Sequence, residues 1–464
     1  MHLGGANVCG SARSEDQRRS GLRTRVPLSS ESTVDMTAMA DVLVIGGGPA
    51  GSTIAALLAQ RGKSVVLVDK DRHPRFHIGE SLLPFSLPLF DLLGVREKIE
   101  AIGMPKYGIE FVSPDHDKTS LLEFAEGWHK EMDLSYQVRR SEFDHVLIEN
   151  AQARGAAVYQ GVRVDAVEFP PEGGVVALAT AEDGTQRRWE ARFLVDATGR
   201  DTFLASKLQL KQRNRRHESA AIYGHFSGAE RLKGRAEGNI SIFWFDQGWF
   251  WSIPLADGTT SIGAVCRPEK IKNRNGQDVT AFFRTLIASC PALAARLRNA
   301  TLIGEATATG NYSYQSDTMV GERYIMIGDA SAFIDPVFST GVHLAMSGAF
   351  KGADVVMTCL DHPALAKQAL QRFEAEARQD LARFSWFIYR ITSPAIRDLF
   401  MASGNVFRMK EAVLSLLAGD TDPKSPIRFR LRMFKGLYYA KMLGGKISGR
   451  RGRPPSPSLN PPAR

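Results

Sequence analysis

Residues 333–341 read FIDPVFSTG, a Phe-x-x-Pro-x-x-Ser-x-Gly spacing. Pro336, Ser339 and Gly341 shape a turn that leads into a helix. Backbone N–H groups of Thr340 and Gly341, at that helix's start, suit an anion. An apolar run from Tyr324 to Ile327 precedes the turn and ends in Gly328-Asp329-Ala330. A second chemical candidate is Lys106, in the run GMPKYGIEF. A buried lysine shifts its pKa readily, so it serves as a donor when charged and as a nucleophile when neutral. The plain alternative is a solvated surface lysine.

A third segment, DVLVIGGGPAGSTIAALLAQRGKSVVLVDKD, predicts strand, glycine turn, helix and strand. Gly46, Gly48 and Gly51 hold the G-x-G-x-x-G positions. In such a turn the first glycine allows the tight bend and the second admits a pyrophosphate to the backbone. The third lets the helix pack close to the strand. Asp69 ends the next strand 18 residues after Gly51, near the spacing of about 20 for a ribose-binding acid.

These segments, with LVDATGRDT at 194–202, resemble the three FAD segments of glutathione-reductase-type flavoproteins. They fit the branch holding aromatic hydroxylases, geranylgeranyl reductases and flavin-dependent halogenases. The 333–341 spacing and WFWSIP at 249–254 resemble the signatures of the halogenases. The fold implied is α/β: a glutathione-reductase-type, Rossmann-like FAD domain, an inserted mixed β-sheet substrate domain and a C-terminal helical region. The resemblance implies FAD contacts at Gly46, Gly48, Ala50, Gly51, Asp69, Gly328, Asp329, Pro336, Gly341 and Val342. Arg140 is expected to approach the diphosphate, with Arg139 as the other candidate. Thr340 and Gly341 would hold a halide. Trp249, Trp251, Phe333, Pro336 and Ser339 would keep organic substrate from the flavin. A pair of same-face tryptophans is equally a sheet-core feature.

The halogenase resemblance also implies a chemistry. FAD supplied reduced, as FADH2, uses O2 and chloride or bromide to give hypohalous acid, and Lys106 directs it by hydrogen bonding or captures it as a haloamine. HPRFHIGESLLP and YRITSPAIRDLF are closer to the branch acting on phenolic or carrier-bound substrates. No glutamate opposite the lysine is placed by motif, which puts free tryptophan in doubt. With one dinucleotide fingerprint, reducing equivalents are expected from a separate NAD(P)H-dependent flavin reductase.

The 464 residues divide, on this reading, into an unstructured extension over 1–38 and a discontinuous FAD domain (39–103, 141–205, 318–355). A substrate sheet follows from 104–140 and 206–317, then a helical region over 356–443 and an unstructured basic tail over 444–464. The net charge of +9 suggests nucleic acid, but from Lys424 onward there are eleven Lys and Arg and no acid. The rest is close to neutral, so no nucleic-acid groove is expected. The tail admits weak contact with an anionic membrane surface. No run of apolar residues reaches a membrane-spanning length. Four cysteines, Cys9, Cys266, Cys290 and Cys359, lack paired spacing, so neither a metal site nor a disulfide frame is expected. A cytoplasmic enzyme fits.

Three other functions compete. Aromatic hydroxylases of this branch usually carry Gly-Ala-Asp-Gly where this chain has Asp196-Ala197-Thr198-Gly199. Prenyl-chain reductases would normally lack Phe333 and the tryptophan pair. A flavin-binding module without activity would never react with O2 after reduction.

Overall fold

The computed structural model describes residues 35–36 and 39–448, apart from positions 117, 216, 247, 311, 403 and 423. The largely apolar strand Ala40–Ile45 is almost wholly buried at the centre of a sheet. It pairs in parallel with Val65–Asp69 on one side and Gln186–Asp196 on the other. Tyr324–Met326 adds in parallel beyond Gln186–Asp196, and Ala157–Gln160 beyond Val65–Asp69. Continuous apolar strands of this kind belong to parallel sheets covered on both faces.

Register fixes what meets at the carboxyl edge. Asp196 lies opposite both Ile45 and Met326. Three turns far apart in sequence, at Gly46, Ala197 and Gly328, therefore leave the sheet side by side. Ligands of open α/β sheets bind at this edge.

Helix Pro49–Gln60 begins with proline at its first turn and buries Ala50, Gly51, Ile54 and Leu58. It packs between Arg140–Ala153 and Thr340–Asp361. Small residues permit this. A Cβ on Gly352 would come within 3.2 Å of Ile54 Cδ1.

A second, seven-stranded sheet runs in the order 301–309, 220–227, 260–266, 248–254, 240–245, 108–112, 119–123. It is antiparallel except for Ile240–Phe245 beside Gly108–Val112. The C-terminal helices pack against the face that also carries the cavity wall: Trp244, Trp249, Phe384, Phe400 and Phe434 share one apolar core. Three features differ from the sequence expectation. Met104–Lys106 leaves the large sheet and forms a separate ribbon with Ser135–Gln137. The last helix, Ile427–Ser448, continues past the expected boundary at 443. Asp35–Met36, inside the expected N-terminal extension, pairs with Arg187–Arg188; the remainder of 1–38 and residues 449–464 lie outside the described residues. No helix among the described residues is long and apolar enough to cross a membrane.

Candidate active site

The glycine turn has the geometry its spacing predicts. Gly46 has φ +102°, and a Cβ there would lie 2.4 Å from the Ala197 carbonyl oxygen. A Cβ on Gly51 would lie 1.8 Å from the Gly46 oxygen, so only glycine allows this helix to pack so closely. Gly48 is different. Its Cβ position meets only Arg75 Nη2, at 3.7 Å, and opens onto a cavity.

That cavity has a volume of about 470 Å³ and extends from the carboxyl edge of the parallel sheet to the second sheet. Gly46, Gly48, Ala50, Asp69, Arg140, Asp329, Phe333, Pro336, Ser339, Gly341, Val342, Trp249 and Trp251 all line it. Asp69 accepts hydrogen bonds from Gly47 N–H and, at 2.8 Å, from Asp71 N–H. Arg140 is buried, bidentate to Asp144 at 2.8 and 2.9 Å, and donates to the Ile78 carbonyl. Arg139 turns away to Asp257 and Thr259. Of the two arginines, Arg140 therefore faces the cavity. Burial pushes the Asp329 carboxyl up to about 6, against the pull of Arg140 and Arg200. Arg140, with burial second, pushes His77 down to about 4, so this cavity-lining imidazole is neutral near pH 7.

The residues 333–341 wrap the inner wall. Ser339 occupies the N-cap position of helix Thr340–Asp361 in the left-handed region, φ 56°, without a side-chain capping bond. Gly341 lines the main cavity and also a smaller one of about 80 Å³ behind it, while Thr340 lines the smaller one alone. Asp335 anchors the loop: Ser219 Oγ donates to it and His217 Nε2 lies 2.9 Å away.

Trp249 and Trp251 share one face of strand Gly248–Pro254, ring centroids 6.0 Å apart. Gly263 makes room, since a Cβ there would sit 2.1 Å from the Trp251 ring. Trp251 Nε1–H donates to Ser261 Oγ at 3.1 Å. The pair is thus both sheet core and cavity wall.

Lys106 is fully buried, contrary to the default for a lysine. Its Nζ donates to Ser81 Oγ and to the Leu82 carbonyl, each at 2.9 Å, and lies 5.3 Å from the Phe124 ring centre. Burial pulls its pKa down to about 7. Lys106 does not itself line the cavity; Ser81 does.

Sequence reasoning missed several lining residues: Arg75, Phe76, Glu80, Ser81, Arg200, Tyr223 and Tyr312. Glu80 and Ser81 lie in the segment HIGES, and nothing in its spacing marks Glu80 as buried.

A glycine cradle, a carboxylate after the second strand and the buried Arg140 beside it have the features of a dinucleotide-binding site. Consistent with this, residues 39–382 match the FAD binding domain family. The chain belongs to the flavin-dependent halogenases within it. A flavin-dependent halogenase of Armillaria mellea is 32% identical, over 80% of this chain and 75% of that protein. A tryptophan 2-halogenase of Chondromyces crocatus is 37% identical, over 69% of this chain and 61% of that protein. A 1H-pyrrole-2-carbonyl peptidyl-carrier-protein chlorinase of Pseudomonas fluorescens is 29% identical, over 82% and 89%. The solved structure of a myxobacterial chondrochloren halogenase matches with TM-score 0.74 and 30% identity, covering 88% of this chain and 98% of that one. The chain spans less than two thirds of the length of several curated relatives, 61 to 64%.

Proposed function

We propose that the protein is an FADH2-dependent halogenase that uses O2 and chloride or bromide to halogenate an electron-rich aromatic, phenolic or carrier-tethered. The observation that carries this reading is Lys106. A lysine buried at the back of the cavity wall, its pKa brought near neutrality, has little structural rationale and a clear chemical one.

When bound and reduced, the flavin would supply the oxidising power that turns halide into hypohalous acid. Residues of this chain do the rest. Gly46, Gly48 and Gly51 let the diphosphate approach backbone, and Arg140 faces its charge. Amides at the start of helix Thr340–Asp361 would hold the halide. Trp249 and Trp251 bar organic substrate from the inner wall. Lys106, with Ser81, would orient hypohalous acid toward the ring. Reducing equivalents would come from a separate reductase, and the names of carrier-protein relatives support a tethered aromatic.

Hydroxylation is the runner-up. Supplying FAD, a flavin reductase, NADH, bromide and a panel of phenols separates the two by product mass. Bromine incorporation supports the proposal. A product gaining oxygen and no halogen, whatever the halide concentration, overturns it.

A further inference from the structure

The smaller cavity of about 80 Å³ lies along the seam between helix Thr340–Asp361 and the helix after it, Pro363–Ile388. Thr340, Leu344, Ser347, Gly348 and Lys351 line it from the first helix at helical spacing, and Phe373, Ala377, Asp380, Leu381 and Phe384 from the second. Thr340 and Lys351 stand about three turns apart, a rise of roughly 16 Å. The outer end lies at the surface, where the Lys351 side chain is 37% exposed and pairs with Asp380 at 2.6 Å. The inner end abuts the larger cavity. Ile327, Asp329, Phe333 and Gly341 line both spaces, so a wall one residue thick parts them. At Gly341 that wall has no side chain, and a Cβ there would lie 3.9 Å from Phe333 Cε2.

Gly348 keeps the seam open. On the same helix, a Cβ on Gly352 would come within 3.2 Å of Ile54 Cδ1, so that glycine serves close packing. A Cβ on Gly348 meets nothing within 4 Å. Glycine inside a helix costs conformational entropy, and here it leaves empty space rather than a contact. Size and charge set what can use that space. An apolar cavity that takes up benzene has about 150 Å³, so an aromatic ring is too large. Halide is opposed by charge: Asp329, Asp335 and Asp380 line the seam against one cation, Lys351. The small neutral molecule that the proposed reaction consumes is O2.

We propose that this seam is the route by which O2 reaches the flavin site, entering beside Lys351 and arriving behind the turn at Phe333 and Gly341. A dinucleotide in the larger cavity occupies the approach from the other side. The assignment rests on the proposed halogenase reaction for its need of O2, and its test requires neither halide nor aromatic substrate.

Crystals of the FAD-loaded protein pressurised with xenon should show xenon in the seam of wild type. None should enter Gly348→Leu or Ala377→Leu, which fill the seam from its two helices. In stopped flow, the FAD-loaded protein is reduced with dithionite, mixed with oxygenated buffer and followed by flavin absorbance. Both leucine variants should reoxidise about tenfold more slowly than wild type, with Gly348→Ala in between. Unchanged circular dichroism, FAD affinity and flavin spectrum check that each variant is folded and loaded; should both leucine variants fail that check, Gly348→Ala carries the test. No xenon in the wild-type seam overturns the proposal. So does reoxidation at the wild-type rate in a variant whose seam is filled. A filled seam that raises the bromide KM and leaves reoxidation unchanged would give the passage to halide, which overturns it equally. Halogenation failing while reoxidation still depends on the seam would sink the reading of the reaction and not this one.

Discussion

Lys106 Nζ and Ser81 Oγ lie 2.9 Å apart, with the lysine sealed from solvent and the serine on the cavity wall. Any reactive species in the cavity meets the serine side of this pair first. Lys106→Ala is expected to abolish halogenation while FAD binding and NADH-driven peroxide formation persist. Retention of more than about a tenth of the rate, a loss under ~1.4 kcal/mol, would remove the lysine from the mechanism.

The same burial has a signature in stability. Burial lowers the folded-state pKa of Lys106 to about 7, whereas an unfolded lysine titrates near 10.4. Between those values the unfolded chain holds more protons, so this residue's contribution to stability improves as pH rises. It is most unfavourable below about pH 7, where both states carry the charge. Relative to Lys106→Met, wild type should gain about 2 kcal/mol between pH 7.5 and 9.5. Denaturant titrations of both proteins at the two pH values check this, and parallel pH curves would mean that the ammonium is solvated.

Gly48 faces the cavity with room for a side chain in the fold but none beside a bound diphosphate. Gly48→Val should therefore leave the far-ultraviolet circular dichroism unchanged and cut FAD affinity by at least about a hundredfold, read by flavin fluorescence. Gly51→Val, by contrast, should unfold the domain, because its Cβ would strike the Gly46 carbonyl. If Gly48→Val binds FAD normally, the nucleotide lies elsewhere.

How much of this was legible in the sequence follows from distance along the chain. Gly46 to Asp69 is one contiguous unit, so the turn, the helix and the acid could be read from local spacing. The Trp249–Trp251 pair was equally plain, because strand periodicity puts alternate residues on one face. Glu80 and His225 meet only through the packing of a loop against a strand 145 positions away, and no local pattern encodes that. Lys106 looked like a candidate by motif alone. Its burial depends on a three-residue ribbon with Ser135–Gln137, too short to carry a periodic signal. Arg140 was favoured over Arg139 by resemblance alone; the start of helix Arg140–Ala153 is what turns Arg140 inward and Arg139 toward Asp257.

The basic helix Ile427–Ser448 tests the carrier-tethered reading. Phe434 and Tyr438 are buried, while Arg428 and Arg432 are exposed. Arg430 instead stacks on Trp128, 4.3 Å from the ring centre, and is left in place. Arg432→Glu should slow turnover of a carrier-bound aryl substrate several-fold in low salt and spare a free phenol. The difference should fade near 1 M salt, where the Debye length is about 3 Å. Equal losses on both substrates with a lower Tm would indicate packing rather than docking.

The most direct measurement joins the proposed reaction to the buried lysine. Wild type and Lys106→Ala are each supplied with FAD, flavin reductase, NADH, O2 and bromide, together with a phenol and a carrier-tethered aryl substrate. Mass spectrometry follows the aromatic, and peroxide release is measured in parallel. The account predicts a bromine isotope doublet on at least one substrate with wild type, none with Lys106→Ala, and equal peroxide from both. A doublet of similar intensity from the variant, or oxygen insertion without halogen from wild type, would contradict it.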